Sequence, residues 1–432
     1  MSDEKYIFSA GAKKNLFITL AAGLVLVVLG IIMINMGGHH DAGHAVEAAG
    51  HGDAHGGGHD SKPVWMLRVI ANLWINNMYF TGLAVIGVFF IAIQYVAQAG
   101  WSVGFKRISM AMASWLPIAG LLMLVFFMAF GHDIFHWTHA SLYAEEGGDE
   151  ILKGKAGFFF WPLESGGFPA FYIARMVIFF GIWYWMFTAI RKQMLAEDVE
   201  GGTGRWNKAF ALSAGFIVFF GYSSSIASWD WVMSIDPHWF STMFGWYVFA
   251  SWWVSGLAFI LFVAVLLKDQ GYLKIVNSNH LHDLGKFVWG FSIFWTYIWF
   301  SQFLLIYYAN IPEETIYFVE RWKSDQYVGF FFMNLILNFF LPFLLLMTRD
   351  SKRHTRILKV VCPVVLFGHW LDFYLMVTPG TLKSNGGFGL LEIGMLVVFA
   401  TAFLFVMLRA LAKHPLVAKN HPMMEETLHH HI

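Results

Sequence analysis

Ser228-Trp229-Asp230-Trp231-Val232-Met233-Ser234-Ile235-Asp236-Pro237 closes one long apolar stretch of the chain, and Asp372-Phe373-Tyr374-Leu375-Met376-Val377-Thr378-Pro379 closes another. Each is an acid followed by an aromatic residue, with proline seven positions after the acid. A carboxylate at the centre of a membrane helix costs roughly 2.5 to 3.5 kcal/mol, so an acid kept inside one has a partner or a task. Two acids in matching places point to an internally duplicated, proton-handling membrane protein, with Pro237 and Pro379 as the helix ends.

Composition supports the membrane class. Of 432 residues, 58% are hydrophobic, 19% aromatic and 13% charged, against roughly 25% charged in a soluble domain. Tryptophan and tyrosine in such numbers suit bilayer interfaces. The net charge is zero, so there is no nucleic-acid footprint. A single cysteine, Cys362, excludes internal disulfides, Cys-ligated iron–sulfur clusters and the C-x-x-C-H haem signature.

A spanning helix needs about 20 apolar residues. Ten stretches qualify: 16–36, 69–97, 108–130, 170–190, 210–235, 244–267, 287–308, 327–347, 357–378 and 390–411. The first lacks a small-residue cleavage pattern and reads as a retained helix. With the N-terminus inside, twenty of the 28 Lys and Arg fall on the inner side, so the positive-inside rule puts both termini in the cytoplasm. The expectation is an all-α, polytopic protein of a bacterial inner membrane.

The two acids lie on the fifth and ninth stretches, which run in the same direction. Helices two to five and six to nine would then be parallel repeats, two four-helix bundles with two extra helices. This divides the chain into 1–36 (cytoplasmic N-terminus and first helix), 37–64 (outer loop), 65–237 and 238–379 (the bundles), and 380–432 (last helix and cytoplasmic tail). The outer loop is rich in Gly, Ala and His, with His39, His40, His44, His51, His55 and His59. Such tracts can bind metal, but the composition favours a solvated loop, and no metal site is assigned. His429, His430 and His431 read as tail residues.

Polar residues inside the helices show helical spacing. Arg68, Asn72, Asn76 and Tyr79 form one stripe, Tyr297, Ser301 and Tyr308 another, and Asn334 and Asn338 a pair. Hydrogen bonding between helices accounts for most of these. The ionisable groups gather toward the outer ends instead. Asp230 and Asp372 lie roughly 8 and 9 Å from the expected helix ends. Arg175, Glu392, His132 and Asp133 are near the same boundary, and His369 is one turn deeper than Asp372. The cytoplasmic halves show no comparable set. Arg175, flanked by apolar residues, calls for a carboxylate partner, with Asp230 or Asp133 the candidates. If the third helix continued far enough, His132, His136 and His139 would share a face, as metal ligands, a proton relay or interfacial residues. Asp236 and His238 fall in a short turn near Asp230.

Two runs carry a family likeness: the sequence 228–242 and Trp295-Thr296-Tyr297-Ile298-Trp299-Phe300-Ser301-Gln302-Phe303-Leu304-Leu305-Ile306-Tyr307-Tyr308-Ala309-Asn310-Ile311-Pro312-Glu313-Glu314. Here the chain resembles the NrfD-like (polysulfide-reductase-type) membrane subunits, most closely the ActF-type subunits of bacterial alternative complex III. The likeness extends over helices two to nine. It implies a subunit of a quinol:cytochrome c oxidoreductase that binds no redox centre of its own. Its partners would be a related NrfD-like subunit, the better candidate for the quinol site, together with iron–sulfur and haem-bearing cytochrome c subunits. A contribution to quinol oxidation, to proton translocation or to both is the role implied for this chain, and the ionisable residues Asp230, Asp372, His238, His369, Asp236, His132, Asp133, His136, Arg175 and Glu392 are the candidates for a proton pathway or a quinol-proximal position. A stand-alone secondary transporter and a purely structural scaffold are the alternatives. A transporter would be expected to carry paired Gly/Pro interruptions at the midplane, and these are lacking.

Overall fold

The computed structural model describes residues 4–41 and 62–431; the His-rich stretch from 42 to 61 lies outside them. The chain is an all-α, multi-pass membrane protein, 79% helical, with no strand among the described residues. Ten helices are long and apolar enough to cross a bilayer: α1 Ala10–Met36, α2 Val64–Val96, α3 Gly100–Ile134, α4 Ala170–Glu200, α5 Gly204–Ile235, α6 Phe244–Asp269, α7 Ser278–Ala309, α8 Val328–Leu345, α9 Thr355–Asn385 and α10 Leu390–Leu411. Without water to serve the backbone, helices satisfy every N–H and C=O within the segment.

The helices α2, α3, α4 and α5 pack in one ring and α6, α7, α8 and α9 in a second. The rings meet through α2 and α6, which are buried along almost their whole length. Close approach there depends on glycine. A Cβ on Gly82 would overlap the Trp252 ring, and one on Gly256 would reach within 2.1 Å of Ile86. Outside the rings, α1 packs mainly on α10, again through small residues: a Cβ on Gly394 would lie 2.7 Å from the Val27 nitrogen.

Both termini lie at one end of the molecule. Lys5 bridges Pro415, and the Glu4 carboxylate accepts from the Leu273 N–H at 3.1 Å. The C-terminal tail does not hang free. Glu426 accepts from the Gly100 and Trp101 N–H groups, both at 3.1 Å, and His430 meets Asp283 at 2.6 Å. The opposite, far end carries two short helices, Glu150–Phe160 and Pro312–Trp322. Asp149 caps the first by accepting from the Ile151 and Leu152 N–H groups.

Two expected helix ends move. The α3 segment begins at Gly100 rather than 108, because Lys106 and Arg107 are buried with partners and do not mark a boundary. On the other side, α9 runs helically through Pro379 to Leu382. Proline there has no N–H for the Leu375 carbonyl. Arg321 Nε supplies that donor at 2.8 Å, and its Nη2 donates to Met376 O at 3.1 Å.

Candidate functional site: two buried carboxylates

Asp230, in the last turn of α5 before a 3₁₀ turn at Met233–Ile235, is fully buried. Arg175 of α4 grips it with two bonds, Nε to Oδ2 at 2.7 Å and Nη2 to Oδ1 at 2.8 Å. The third guanidinium nitrogen donates to Phe158 O at 2.7 Å, and the Phe158 and Phe171 rings lie 4.1 and 4.4 Å from the guanidinium carbon. The Arg175 charge is therefore matched by a bidentate carboxylate and two ring faces. Asp133, the other expected partner, takes Lys62 at 2.7 Å.

Asp372 is also fully buried, but its surroundings differ. The extension of α9 to Leu382 places it ten residues from the helix end, about 15 Å, deeper than the 9 Å expected. Its oxygens receive the Tyr247 hydroxyl, Asn334 Nδ2 at 2.8 Å and Trp295 Nε1 at 2.9 Å. These donors come from α6, α8 and α7, and all are neutral. No cation pairs with Asp372 among the described residues. Asn338, in a π-helical turn of α8, donates to Asn334 Oδ1 at 2.6 Å. The turn precedes Pro342, which lacks the N–H that would bond Asn338 O, and the widened turn accommodates the loss. One turn below Asp372, His369 Nδ1 lies 3.1 Å from Ser251 Oγ, while its Nε2 has no hydrogen-bond partner.

A cavity of about 10 Å³ lies beside Asp372, bounded by its neighbours Tyr247 and Asn334 and by Gln302, Tyr317 and Arg321. That is room for about one water. Gln302 Nε2, buried without a partner, is among its walls. Arg321 continues the polar line to the partly exposed Asp236, 3.5 Å away. Burial raises the Asp236 carboxyl above its ordinary range, with Arg321 opposing, and burial followed by the nearby Asp236 charge does the same to Glu320. Tyr247, Asn334, the cavity, Arg321 and Asp236 thus form a polar sequence from the core of the second ring to the far surface.

The remaining expected residues separate from this line. His238 does not approach Asp230; it is exposed and bonded to Asp149 at 2.5 Å. Burial alone would raise Asp149, but His238 and the two backbone donors bring it below its usual range. The turn that was to hold Asp236 and His238 near Asp230 instead sends them to Arg321 and Asp149. The third helix stops at Ile134, so His132, His136 and His139 do not share a helical face. A 3₁₀ turn still folds His139 back, with ring centroids 5.5 Å from His132 and 5.8 Å from His136. His132 Nδ1 lies 2.9 Å from Thr138 Oγ1. Burial, then His139 and His238, hold His136 below its ordinary value. No group of three or more His, Cys, Asp or Glu is placed to hold a metal among the described residues. Glu392 caps its own helix through the Gly389 N–H at 2.7 Å and takes Arg68 Nη2 on both oxygens, each at 2.7 Å. Tyr297 and Tyr308 face outward, 64% and 89% exposed, and so do not join helices.

Sequence reasoning missed Tyr247, Trp295 and Arg321. Arg321 is 3% exposed; the signal lay in the amphipathic pattern of Pro312–Trp322. It also missed an ionisable cluster at the termini end. Lys106 Nζ lies 2.7 Å from His421 Nε2 and 3.8 Å above the Tyr95 ring. Tyr95 donates to Glu197 at 3.0 Å, and Arg107 pairs with Asp198. The termini end does hold a comparable set, assembled from four separate segments.

Comparison of the chain with protein-family models gives no match, and comparison with curated proteins gives none either. Fold and site together define a class: a polytopic α-helical membrane protein with a guanidinium-paired acid in one ring of helices and an acid held by neutral donors in the other.

Proposed function

We propose that this chain is a membrane subunit of a respiratory quinol:cytochrome c oxidoreductase of the NrfD-like kind, in a bacterial inner membrane with its termini end cytoplasmic. Its contribution is proton handling next to quinol oxidation, with haem and iron–sulfur clusters in partner subunits. One observation carries the proton role: Asp372, fully buried, has three neutral donors and no paired cation among the described residues. A carboxylate without a paired cation can exchange a proton without breaking an ion pair. Gln302, Tyr317, Arg321 and Asp236 supply stepping points toward the far side. Asp230, locked by Arg175, is the structural member of the duplicated pair. The electron-transfer assignment rests on the likeness of residues 228–242 and 295–314, and the orientation rests on the distribution of Lys and Arg.

A transporter reading is less well supported, because the space beside Asp372 admits one water and no organic solute. Purification from native membranes in mild detergent tests the assignment. The chain is expected to co-elute with haem absorbance, iron–sulfur paramagnetic resonance and quinol oxidation. A chain that elutes alone from native membranes, with none of these signals, would contradict it.

A further inference from the structure

Near the termini end, α3, α4 and α10 enclose a cavity of about 310 Å³. Arg191 on α4, Arg409 in the last turn of α10 and Lys413 just beyond it contribute to its wall, facing Ile118, Phe187 and Phe405. Arg409 and Lys413 are exposed and Arg191 is half-buried. No carboxylate pairs with any of the three among the described residues. Arg191 instead lies 3.2 Å from His414 Nε2. Burial, then Arg191 and Arg107, hold His414 below its ordinary value, so it accepts this bond as a neutral ring and leaves the charge of Arg191 uncompensated.

Tyr184 belongs both to this cavity and to a second one, of about 260 Å³, between α3 and α4. The second is walled by apolar side chains, among them Leu121, Leu124, Met176 and Phe180. Glycine keeps it open. A Cβ on Gly120 would stand 2.9 Å from the Phe180 ring, and one on Gly181 would meet nothing within 4 Å. From Arg191 down to Met176 the furrow follows fifteen residues of α4, about 22 Å, which exceeds the roughly 15 Å depth of one leaflet. Cations at a helix C-terminus are favoured by the helix dipole alone. The dipole does not account for three of them converging on a cavity that opens into an apolar furrow.

We propose that this corner binds an anionic phospholipid, with its phosphate on Arg191, Arg409 and Lys413 and an acyl chain in the furrow beside Gly120 and Gly181. Basic pockets between transmembrane helices recognise such headgroups, each cation contributing about 1 kcal/mol, or about fivefold in affinity.

The test titrates the full-length protein, delipidated in detergent, with dioleoylphosphatidylglycerol or dioleoylphosphatidylcholine and counts bound lipid by native mass spectrometry. The glycerol lipid is expected to be retained at least about tenfold more tightly. Arg409→Gln with Lys413→Gln should weaken it by about 25-fold and weaken the choline lipid, whose phosphate charge is offset by its own ammonium, much less. Gly181→Leu, which fills the furrow without a clash at its Cβ, should weaken it with all three cations intact. Equal retention of the two lipids, or wild-type retention by the double variant, overturns the proposal. Displacement by inorganic phosphate with Gly181→Leu behaving as wild type would mean a site for free anions only, and overturns it equally. Monodisperse elution of both variants shows that any loss comes from the site, since the altered positions face outward.

Discussion

At the scale of single residues, the two acids that look alike in sequence have opposite environments. Removing the cation from Asp230 strands a buried charge. Arg175→Ala is therefore expected to cost about 3 to 5 kcal/mol, seen as lost thermal stability and yield, with partial recovery when Asp230→Asn is added. Unchanged stability in the single variant would exclude the pair as a structural element. The position of Asp230 was readable from its sequence, and Arg175 was readable as its candidate partner. The neutral cage of Asp372 was not, because its donors come from three other helices and no local pattern links them. His421 was hidden for the same reason: a tail histidine has no sequence signal that it will be buried against α3 and α4. Burial, with Lys106 and Arg107 beside it, pushes His421 down to about 2. It is therefore neutral when docked, and its 3.6 Å approach to Glu197 is not an ion pair. In the released tail it titrates near 6.5. The released state binds the extra proton, so docking is at full strength above that pH and weakens by about 1.4 kcal/mol per unit below it. The protection factors of residues 421–428, taken relative to the intrinsic exchange rate at each pH, should fall between pH 6.5 and 5, and pH-independent protection factors would refute the assignment.

At the scale of elements, apolar length found all ten spanning helices, since hydropathy reports directly the solvent each segment prefers. Their ends were less legible, because a charge that marks a boundary in sequence can be buried once a partner exists. Lys106 and Arg107 are the two instances, and Pro379 is an uncharged stop signal that the helix runs through. The continuation of α9 past Pro379 rests on Arg321 serving the freed Leu375 carbonyl. Arg321→Ala is expected to cost about 1 to 3 kcal/mol for the unsatisfied carbonyl, beyond the lost contact with Asp236. Pro379→Ala restores the missing N–H, so the Arg321→Ala penalty should be smaller in that background. A double-mutant cycle with no coupling between the two positions would show that Arg321 does not act through this helix. The histidines after α3 make the converse point. Their spacing fitted a helical face, yet the chain leaves the helix at Ile134, and the rings meet through a 3₁₀ turn instead.

At the scale of the whole molecule, both termini and the loop with Arg349, Lys352 and Arg353 lie at one end, while the loop between α1 and α2 begins at the other. Lys and Arg predominate at the termini end, so cysteines introduced there should resist an impermeant maleimide in intact cells, while one introduced at position 51 should react. The reverse pattern would invert the protein in the membrane. With that orientation, the polar line from Asp372 through the cavity and Arg321 to Asp236 opens on the outer side, where an oxidised quinol would release its protons. The assignment as a redox subunit and the proton role of Asp372 stand or fall separately, since copurification tests the first and substitution the second. For the proton role, the most direct measurement is proton release on the outer side per quinol oxidised, in complex carrying Asp372→Asn reconstituted into sealed vesicles, with Asp230→Asn as the control. The asparagine keeps the size of the side chain and can still accept from Trp295 or Tyr247. The account predicts that Asp372→Asn assembles normally but loses most of the proton release on the outer side, while Asp230→Asn keeps it in whatever complex assembles. An assembled Asp372→Asn complex with full proton release would contradict it.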